Sequence, residues 1–277
     1  MAKEKVGILH PGEMGVVVAE TVRNSGYEVL WASAGRSAET RRRAEAAGLA
    51  DAGSVAKMCE SCSVMVSVCP PEFAEDLARE VAGHSFRGLY VDANAIAPER
   101  ARRIGALITE RGGTFVDGAI IGMPTRTRGQ TWFYVSGEQA SAAAPFLCGG
   151  PLEFEVLGDY AGQASALKMC FAAHSKATAA LQAAVLAAAE GLGVQEALAR
   201  QWARSGPNFE RVVASIRMAA PKAWRFTAEM REIADTFESA QVPAGFPGAA
   251  EEIYAKLTDF KGAVQPDLSA ILNKLRG

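Results

Sequence analysis

The sequence predicts an α/β domain in residues 1–160 and an all-α domain in residues 161–277. In the first part, short β-type runs alternate with stretches compatible with helices, which is the pattern of a parallel sheet with crossover helices. After Tyr160 the β-type runs stop. A long alanine-rich stretch begins there, and helical segments broken by prolines follow it, so we expect no sheet in the second part.

The expected strands are short runs rich in β-branched and aromatic residues. In chain order they are Val6–His10, Glu28–Ala32, Val64–Cys69, Leu89–Asn94, Thr114–Ile121, Thr131–Ser136 and Leu152–Leu157. Amphipathic helices are expected at Pro71–Val81 and Pro98–Arg111, because each opens with a proline that a first helical turn tolerates. A long helix is expected from Ala161 to Glu190, ending at a Gly-Leu-Gly sequence.

Composition favours a globular protein that acts on a small molecule. The chain has 277 residues, 49% hydrophobic and 22% charged, which suffices for a substantial core. A formal net charge of -2 gives no overall electrostatic reason to expect nucleic acid or an anionic membrane as partner. The longest apolar run, Ala177–Ala189, is shorter than the roughly 20 residues of a membrane span. The first residues lack a signal-peptide core, so we expect a cytoplasmic protein.

Five cysteines, an odd number, favour reduced thiols over a disulfide framework. Cys59 and Cys62 form a C-x-x-C pair, which also occurs in redox and zinc sites. No second pair follows at zinc-site spacing, and the three histidines are scattered. We therefore interpret the pair as small residues that lead into a strand, and we expect no metal.

The first expected strand runs into a glycine-containing turn, His10-Pro11-Gly12-Glu13-Met14-Gly15. Glycine there lets the backbone approach a pyrophosphate, and the N–H groups and dipole of the following helix bind the anion. Gly12 and Gly15 stand at the second and third glycine positions of G-x-G-x-x-G, whereas His10 stands at the first. An ordinary strand-turn-helix is the alternative. The position at the start of a βαβ unit favours a Rossmann-type dinucleotide-binding domain, with residues 10–14 contacting the cofactor.

The segment after the second strand favours NADP over NAD. An NAD-specific site usually places an acidic side chain there for the ribose 2'-hydroxyl, and none stands between Leu30 and Ala38. Instead Arg36 and Ser37 follow the strand, and Arg41–Arg43 come soon after. A guanidinium pairs well with a 2'-phosphate through charge-assisted hydrogen bonds. We expect Arg36 and Ser37 to bind the cofactor, while most of Arg41–Arg43 form a solvated helix face.

These residues resemble the 6-phosphogluconate and β-hydroxyacid dehydrogenases. The similarity spans nearly the whole chain: V-G-I-L-H-P-G-E-M-G at 6–15, D-A-N-A-I-A-P at 92–98, G-M-P at 122–124, and Lys168. A subgroup of look-alikes shares H-P-G-E-M-G and the sequence A-W-R-F-T-A-E-M-R-E-I at 223–233, in a C-terminal domain without an assigned function. The resemblance implies a Rossmann domain, an all-α domain and oxidoreductase activity, but no particular substrate.

The resemblance also implies binding residues. Asn94 falls where the family binds nicotinamide and substrate, and we expect Cys69 and Pro70 to contact the cofactor as well. The family's Ser-Gly-Gly, which grips the substrate carboxylate, corresponds to Ile121-Gly122-Met123, so the serine hydroxyl is missing here. Gly122 and Met123 remain expected substrate contacts, and Arg126, with Arg128 beside it, is a candidate replacement for the anion contact.

Lys168 matches the family's catalytic lysine, in G-Q-A-S-A-L-K. Its neighbours in sequence are mostly apolar, and burying an unpaired ammonium is unfavourable, so this lysine is expected to be paired or functional. The family's asparagine four residues later is Ala172 here, and His174 and Ser175 are candidate substitutes. A Lys-Asp pair of the relatives corresponds to Ala228-Glu229.

The leading hypothesis is reversible hydride transfer between NADP(H) and a carbonyl or secondary alcohol of a small polar substrate, with Lys168 exchanging the proton. Two alternatives remain: an imine reductase acting on C=N, against which the retained lysine argues, and a non-catalytic NADP(H)-binding protein. We also expect a homodimer through the C-terminal domain, because Leu181, Val185, Leu186 and Leu192 offer more apolar surface than a small helical domain needs.

Overall fold

The structure, a computed structural model, describes residues 4–277. The chain forms two compact units that divide between residues 168 and 169. The boundary expected from the sequence, between residues 160 and 161, lies within the first unit.

The first unit contains one eight-stranded sheet with the strand order β3-β2-β1-β4-β5-β6-β7-β8. The strands are β1 (Lys5–Ile8), β2 (Glu28–Trp31), β3 (Ala50–Asp51), β4 (Val64–Ser67), β5 (Leu89–Asp92), β6 (Thr114–Gly122), β7 (Thr131–Ser136) and β8 (Glu153–Gly158). All seven strands expected from the sequence are present, with ends that differ by at most two residues. β3 was not expected. It has only two residues, both exposed, so it carries no hydrophobic period.

The sheet is mixed, which corrects the expectation of a parallel sheet. β6 and β7 pair antiparallel, whereas all the other neighbours pair parallel. The physical reason is the connection: only residues 123–130 join β6 to β7, and a parallel pair needs a crossover of about a dozen residues or more.

Helices cover this sheet. They are α1 (Glu13–Asn24), α2 (Ala38–Ala46), α3 (Val55–Ser61), α4 (Ala74–Gly83), α5 (Pro98–Thr109) and α6 (Ala144–Leu147). On one face, Val6, Ile8 and Val66 belong to one core cluster, together with Val17, Val18 and Val22 of α1. On the other face, Met65 and Tyr90 pack with residues of α3, α4 and α5. Burial on both faces explains why the central strands read as continuous apolar runs.

The long helix expected from Ala161 to Glu190 consists of three pieces in the structure. α7 (Gln163–Ala172) starts in the first unit, the segment Ala173–Ala177 has π-helical geometry, and α8 (Thr178–Gly191) follows. A π-helical insertion takes one more residue per turn than an α-helix, and such insertions are frequent at functional sites. An amphipathic period does not reveal so short a change of pitch.

The rest of the second unit is all-α, as predicted. Its helices are α9 (Gln195–Ser205), α10 (Phe209–Ala219), α11 (Ala223–Ser239), α12 (Gly245–Lys256) and α13 (Leu268–Arg276). Phe226 of α11 and Tyr254 of α12 meet edge to face, with ring centroids 5.2 Å apart. Within residues 4–277, no helix is both long and apolar enough to cross a bilayer.

Candidate active site

The turn after β1 has the geometry of an anion-binding helix start. Gly12 is the N-cap of α1. Among residues 4–277, no side chain caps the start of this helix, so its first N–H groups are available to bind an anion. A Cβ on Gly15 would lie 2.2 Å from the His10 carbonyl oxygen, so this position admits only glycine. β1 lies between β2 and β4, where the strand order reverses. Open α/β sheets bind ligands at this point, beyond the carboxyl ends of the strands.

The other residues of the turn differ in exposure. His10 is half-buried, and burial together with the nearby charge of Arg36 lowers its pKa. The imidazole is therefore neutral near pH 7 and adds no positive charge to the turn. Pro11 is buried and Glu13 is exposed. The Met14 side chain packs against the core below, so any contact from Met14 to an anion comes from its backbone N–H.

Arg36 lies against this same turn. One terminal nitrogen, Nη2, donates a hydrogen bond to the Leu9 carbonyl at 3.0 Å. Its Nε is buried and has no hydrogen-bond partner in the part of the chain that the structure describes. The structure thus brings Arg36 and the glycine turn together, although 21 residues separate Gly15 from Arg36.

The neighbours of Arg36 have local structural roles. The Ser37 hydroxyl is the N-cap of α2 and accepts from the Thr40 N–H at 3.2 Å. Arg41 Nε donates to the Arg36 carbonyl at 3.2 Å. Arg43 pairs with Glu39 one turn earlier on α2, at 2.6 Å. Of Arg36, Arg41 and Arg43, it is therefore Arg36 that contacts the start of the turn, through its hydrogen bond to the Leu9 carbonyl.

Asp51, which ends the edge strand β3, was not expected at the site. Its carboxylate accepts from the Ser33 N–H at 3.2 Å and from the Gly53 N–H at 2.7 Å. Burial acts to raise the pKa of Asp51, but hydrogen bonds from Ser33 and Gly53 outweigh it, and the pKa is lowered. An acidic group thus stands beside the end of β2 after all. The two-residue strand that brings it there was not detectable from periodicity.

Asn94 lies at the carboxyl ends of β4 and β5, and its side chain is completely engaged. Its Nδ2 donates to Ser67 Oγ at 2.9 Å and to Asp92 Oδ2 at 3.0 Å. Its Oδ1 accepts from the Cys69 N–H at 2.6 Å. The amide is buried, so it ties the Cys69-Pro70 turn to β5 rather than presenting free polar atoms. Asn94, Cys69 and Pro70 are all residues expected to contact the cofactor, and the Asn94 amide joins the Cys69 N–H to the end of β5.

Asp92 supports this amide from below. Its Oδ1 accepts the Asn94 N–H at 3.0 Å, and the side chain is almost fully buried. Burial raises the pKa of Asp92 to about 7, and the charge of Asp117 on the adjacent strand contributes to the increase.

Lys168 lies on α7 and contacts the neighbouring strand β6. Its Nζ donates to the Ile120 carbonyl at 2.7 Å, and the residue is half-buried. The start of α7 is bound to the same strand. Asp117 Oδ2 accepts from the backbone N–H of Gly162 at 2.9 Å and of Ser165 at 3.0 Å. Asp117 was not among the residues expected at the site, although it is the single acid in the apolar run T-F-V-D-G-A-I-I-G.

The loop after β6 carries the remaining predicted substrate residues of the first unit. Gly122 has φ +134°, and a Cβ there would lie 2.4 Å from the Gln130 carbonyl oxygen, so the hairpin requires glycine. The Met123 side chain is 60% exposed. Arg126 forms a bidentate pair with Glu20 of α1, at 2.9 and 2.7 Å. Its guanidinium is thus already neutralised, which weakens its case as the substrate's anion contact.

In the second unit, His174 is exposed on the π-helical segment. It lines a cavity of about 400 Å³ whose walls are mostly apolar, including Leu181, Ile233 and Phe237. Ser175 does not replace the missing asparagine as a free donor, because its hydroxyl donates to the Phe171 carbonyl at 3.0 Å.

Glu229, where relatives have the acid of a Lys-Asp pair, makes a close ion pair with Lys176. The Lys176 ammonium also lies 4.7 Å from the centre of the Phe226 ring. The chain therefore has a lysine–acid pair of its own, assembled from the π-helical segment and α11.

The cysteines are all free, and burial raises the pKa of both Cys59 and Cys62. Across residues 4–277, no group of three His, Cys, Asp or Glu side chains is arranged to hold a metal ion. Cys59 lies on α3, and Cys62 is the C-cap of that helix, two residues before the start of β4.

Two family models match the chain. Residues 5–147 match the NAD binding domain of 6-phosphogluconate dehydrogenase. Residues 189–257 match a domain of unknown function. These matches confirm the resemblance inferred from the sequence motifs, including the C-terminal domain without an assigned function.

The chain is similar to other proteins over most of its length. One solved structure is 32% identical, with a TM-score of 0.68, and the match covers 92% of this chain and 97% of the other. That protein is a conserved protein of unknown function, described as structurally similar to 3-hydroxyacid dehydrogenases. An uncharacterized 28.5 kDa protein from Methanothermus fervidus is 28% identical over 194 residues, which is 70% of this chain and 74% of that protein.

More distant structures share the fold. 3-Hydroxyisobutyrate dehydrogenase from Mycobacterium tuberculosis is 19% identical with a TM-score of 0.72, and the match covers both chains completely. Imine reductases also match, at lower TM-scores. At these identities the likeness concerns the fold alone.

Proposed function

Because the chain belongs to the family whose NAD-binding domain is that of 6-phosphogluconate dehydrogenase, we propose that it transfers a hydride between NADP(H) and a small polar substrate. The group that reacts is a carbonyl or a secondary alcohol, on a hydroxy acid-like molecule. The observation that carries this proposal is Lys168, whose ammonium is fixed on the Ile120 carbonyl at 2.7 Å within the nucleotide-binding unit.

The residues present fit a dinucleotide. Gly12 leaves the start of α1 without a side-chain cap, and at Gly15 a Cβ would collide with the His10 carbonyl. A pyrophosphate would bind to the first N–H groups of α1, contributed by Glu13 and Met14, as in other helix-start phosphate sites. The Cys69-Pro70 turn, held by Asn94, would line the same edge of the sheet. When bound, the nicotinamide supplies the hydride chemistry.

Arg36 supports NADP over NAD. Arg36 is half-buried, and the hydrogen bond from its Nη2 to the Leu9 carbonyl holds the guanidinium beside the glycine turn. A 2'-phosphate would accept charge-assisted hydrogen bonds from such a guanidinium. Asp51 also stands beside the end of β2. Its Oδ1, however, already accepts hydrogen bonds from the backbone N–H groups of Ser33 and Gly53. We therefore assign the recognition of the ribose substituent to Arg36, with Ser37 beside it.

Lys168 would exchange the proton of the substrate oxygen. In oxidation the amine accepts this proton, and in reduction the ammonium donates it. The Ile120 carbonyl accepts a hydrogen bond from Lys168 Nζ at 2.7 Å, which orients the side chain beside β6. Gly122 ends the strand that carries Ile120, and Met123 follows it in the loop, so we place the substrate near them, with Asn94 positioning the Cys69 turn. His174 stays a prediction from the sequence as a substrate contact.

The test is Lys168→Met, which keeps the aliphatic volume and removes the titratable nitrogen. Turnover should fall by about 100- to 10,000-fold, the usual contribution of a positioned general acid or base. NADPH affinity should stay nearly unchanged. Lys256→Met is a matched control, because Lys256 Nζ also donates to a backbone carbonyl, that of Leu275, at 2.9 Å. Turnover of the Lys168 variant equal to that of the control would contradict the mechanism.

Reduction of a C=N bond is the second candidate, favoured by the structural likeness to imine reductases. The retained Lys168 argues for the oxygen substrate, because proton exchange at an alcohol oxygen needs such a group. A panel of ketones, hydroxy acids and cyclic imines distinguishes the two functions. If the protein binds NADPH but turns over none of these compounds, a third hypothesis is favoured: a non-catalytic cofactor-binding protein.

A further inference from the structure

Two side chains of the sheet accept hydrogen bonds from the first turn of α7. Asp117 on β6 accepts the N–H groups of Gly162 and Ser165. Ser136 on β7 accepts the N–H of Ala164 through its hydroxyl oxygen at 3.0 Å. A helix leaves its first N–H groups without partners inside the helix. Here the sheet supplies acceptors for them.

The two side chains act as one pair. Asp117 and Ser136 are directly opposite each other in the antiparallel ladder of β6 and β7. The Ser136 hydroxyl donates to Asp117 Oδ2 at 2.8 Å, and the Ser165 hydroxyl donates to Asp117 Oδ1 at 2.6 Å. The carboxylate thus accepts four hydrogen bonds, and three of them come from the start of α7. A negative charge at a helix start also interacts favourably with the helix dipole.

Lys168 lies one turn after Ser165 on the same helix, and Ile120 lies three residues after Asp117 on the same strand. The helix is therefore held to β6 at two points: its first turn at Asp117 and its lysine at the Ile120 carbonyl. We propose that Asp117 is a positioning residue for Lys168. It sets the height and rotation of α7 on the sheet, so that the ammonium reaches the place where it exchanges a proton. This inference rests on the proposed function of Lys168.

The location of the acid supports a role beyond filling the strand. Asp117 has no exposed surface and stands in a run of buried apolar residues. A buried carboxylate is unfavourable unless its hydrogen bonds are complete, and replacing it with an apolar residue is often neutral or stabilising. The arrangement instead keeps the acid and directs both oxygens to the helix that carries the lysine. Burial raises the pKa of Asp117, while the hydrogen bonds from Ser165 and Ser136 oppose this change.

The experiment compares Asp117→Ala, Asp117→Asn and Ser165→Ala in the full chain. Alanine removes all four acceptor contacts, and a displacement of the lysine by about 1 Å should reduce kcat by about 100-fold. Asparagine keeps one oxygen for the three donors on Oδ2 and can donate to the Ser165 hydroxyl, so it should restore most of the activity. Ser165→Ala removes a single contact and should fold even if Asp117→Ala does not. It should lower kcat several-fold, with the KM for NADPH unchanged in every variant.

The control is Asp267→Ala. Asp267 also caps a helix, α13, by accepting the Ser269 N–H at 3.1 Å, but that helix lies in the second unit and carries no proposed catalytic group. A second readout that does not depend on activity is the NMR signal of the Lys168 Cε methylene, in protein labelled with ¹³C-lysine. Lys168→Met assigns the signal by its disappearance. The signal should move in Asp117→Ala and Ser165→Ala, and it should stay in place in Asp267→Ala.

The outcomes separate the two claims. An unmoved Lys168 signal in Asp117→Ala and Ser165→Ala, or a kcat no lower than that of the Asp267 control, would overturn the positioning role. If Lys168→Met keeps full turnover while Asp117→Ala still moves the Lys168 signal, then the proposed function fails. The structural part of this inference, that Asp117 positions the lysine, would be supported in that case.

Discussion

Arg36 is the residue to which we assign the proposed preference for NADP. Its guanidinium is attached to the Leu9 carbonyl at 3.0 Å, so it is held against the glycine turn before any ligand arrives. A preorganised donor of this kind loses less conformational entropy on binding than a free surface arginine does. Arg43, on the same segment, is instead paired with Glu39 on the face of α2.

Replacement of this guanidinium tests the preference directly. Arg36→Ala should weaken NADPH use by about 10- to 150-fold, because a hydrogen bond to a charged group contributes about 1.5–3 kcal/mol. NADH use should barely change. Arg43→Ala is the matched control and should leave both cofactors unaffected. Steady-state kinetics with each cofactor decides, and equal losses for NADPH and NADH in Arg36→Ala would show that Arg36 does not recognise the phosphate.

Asp92 links stability to pH. Its pKa rises from 3.8 in the ordinary state to about 7 because the carboxyl group is buried. A group whose pKa is higher in the folded state stabilises the fold fully below its unfolded pKa, and this contribution disappears as pH rises through the folded pKa. The free energy of unfolding should therefore decrease between about pH 4 and pH 7 through this group.

Wild type and Asp92→Asn should differ in how steeply the free energy of unfolding changes with pH. Denaturant unfolding at a series of pH values should show a steeper decrease for the wild type than for Asp92→Asn, which cannot bind or release this proton. The absolute stability of the variant can fall, since asparagine offers one acceptor oxygen to the two N–H donors of Asn94. The exposed Asp235→Asn should keep the slope of the wild type. Parallel curves for wild type and Asp92→Asn would refute this assignment.

At the scale of elements, the hairpin of β6 and β7 fixes the end of the strand that holds Lys168. Gly122 is the last residue of β6, with φ +134° and the Gln130 carbonyl close to where a Cβ would stand. Gly129, in the same loop, also has positive φ, +76°, but a Cβ there would meet no atom within 4 Å. A side chain at Gly129 would therefore cause backbone strain alone, whereas a side chain at Gly122 would add a steric collision to the strain.

Gly122→Ala should destabilise the protein by roughly 1–3 kcal/mol or more, because strained backbone and a steric collision add. Gly129→Ala carries only the strain and should be the milder change. The measurement is the free energy of unfolding of both variants by denaturant titration. Equal stability of the two would mean that the approach of Gln130 to Gly122 has no energetic weight.

The sequence allowed the elements to be predicted better than their connections. Seven of the eight strands and the glycine turn have strong local signals: apolar runs and a glycine at the start of a helix. The antiparallel direction of β7 depends on loop length, and β3 is too short to have a period. The network around Lys168 was not predictable, because Asp117 and Ser165 are separated by 48 positions and meet only once the helix lies on the sheet.

At the scale of the whole molecule, apolar surface on α8 and its C-terminal end argues for self-association. Leu181 is 54% exposed and Leu192 is 77% exposed, whereas Leu186 is buried inside the second unit and Val185 is half-buried. Two of the four residues expected at a dimer interface are thus available to it. Exposed apolar side chains of this size favour contact with another copy, since most oligomers are symmetric dimers.

We therefore propose a homodimer through the second unit. Light scattering at micromolar concentration should give about twice the mass of one chain, which is 29.2 kDa. Leu181→Glu together with Leu192→Glu should shift the protein to monomer, because a charge buried in an apolar interface is unfavourable. The control is Val264→Glu, at an exposed position outside α8 and its C-terminal end. A wild-type protein that stays monomeric would contradict the proposal.

The attachment of α7 to the Asp117–Ser136 pair changes how this part of the molecule comes apart. Helix ends ordinarily open and close locally, at a small fraction of the global free energy of unfolding. Here, opening the first turn of α7 would strand a buried carboxylate without its donors, and separating β6 from β7 would remove the acceptors of that turn. The helix start and the hairpin therefore open together or not at all, so thermal fluctuation of the lysine is tied to the cooperativity of the sheet.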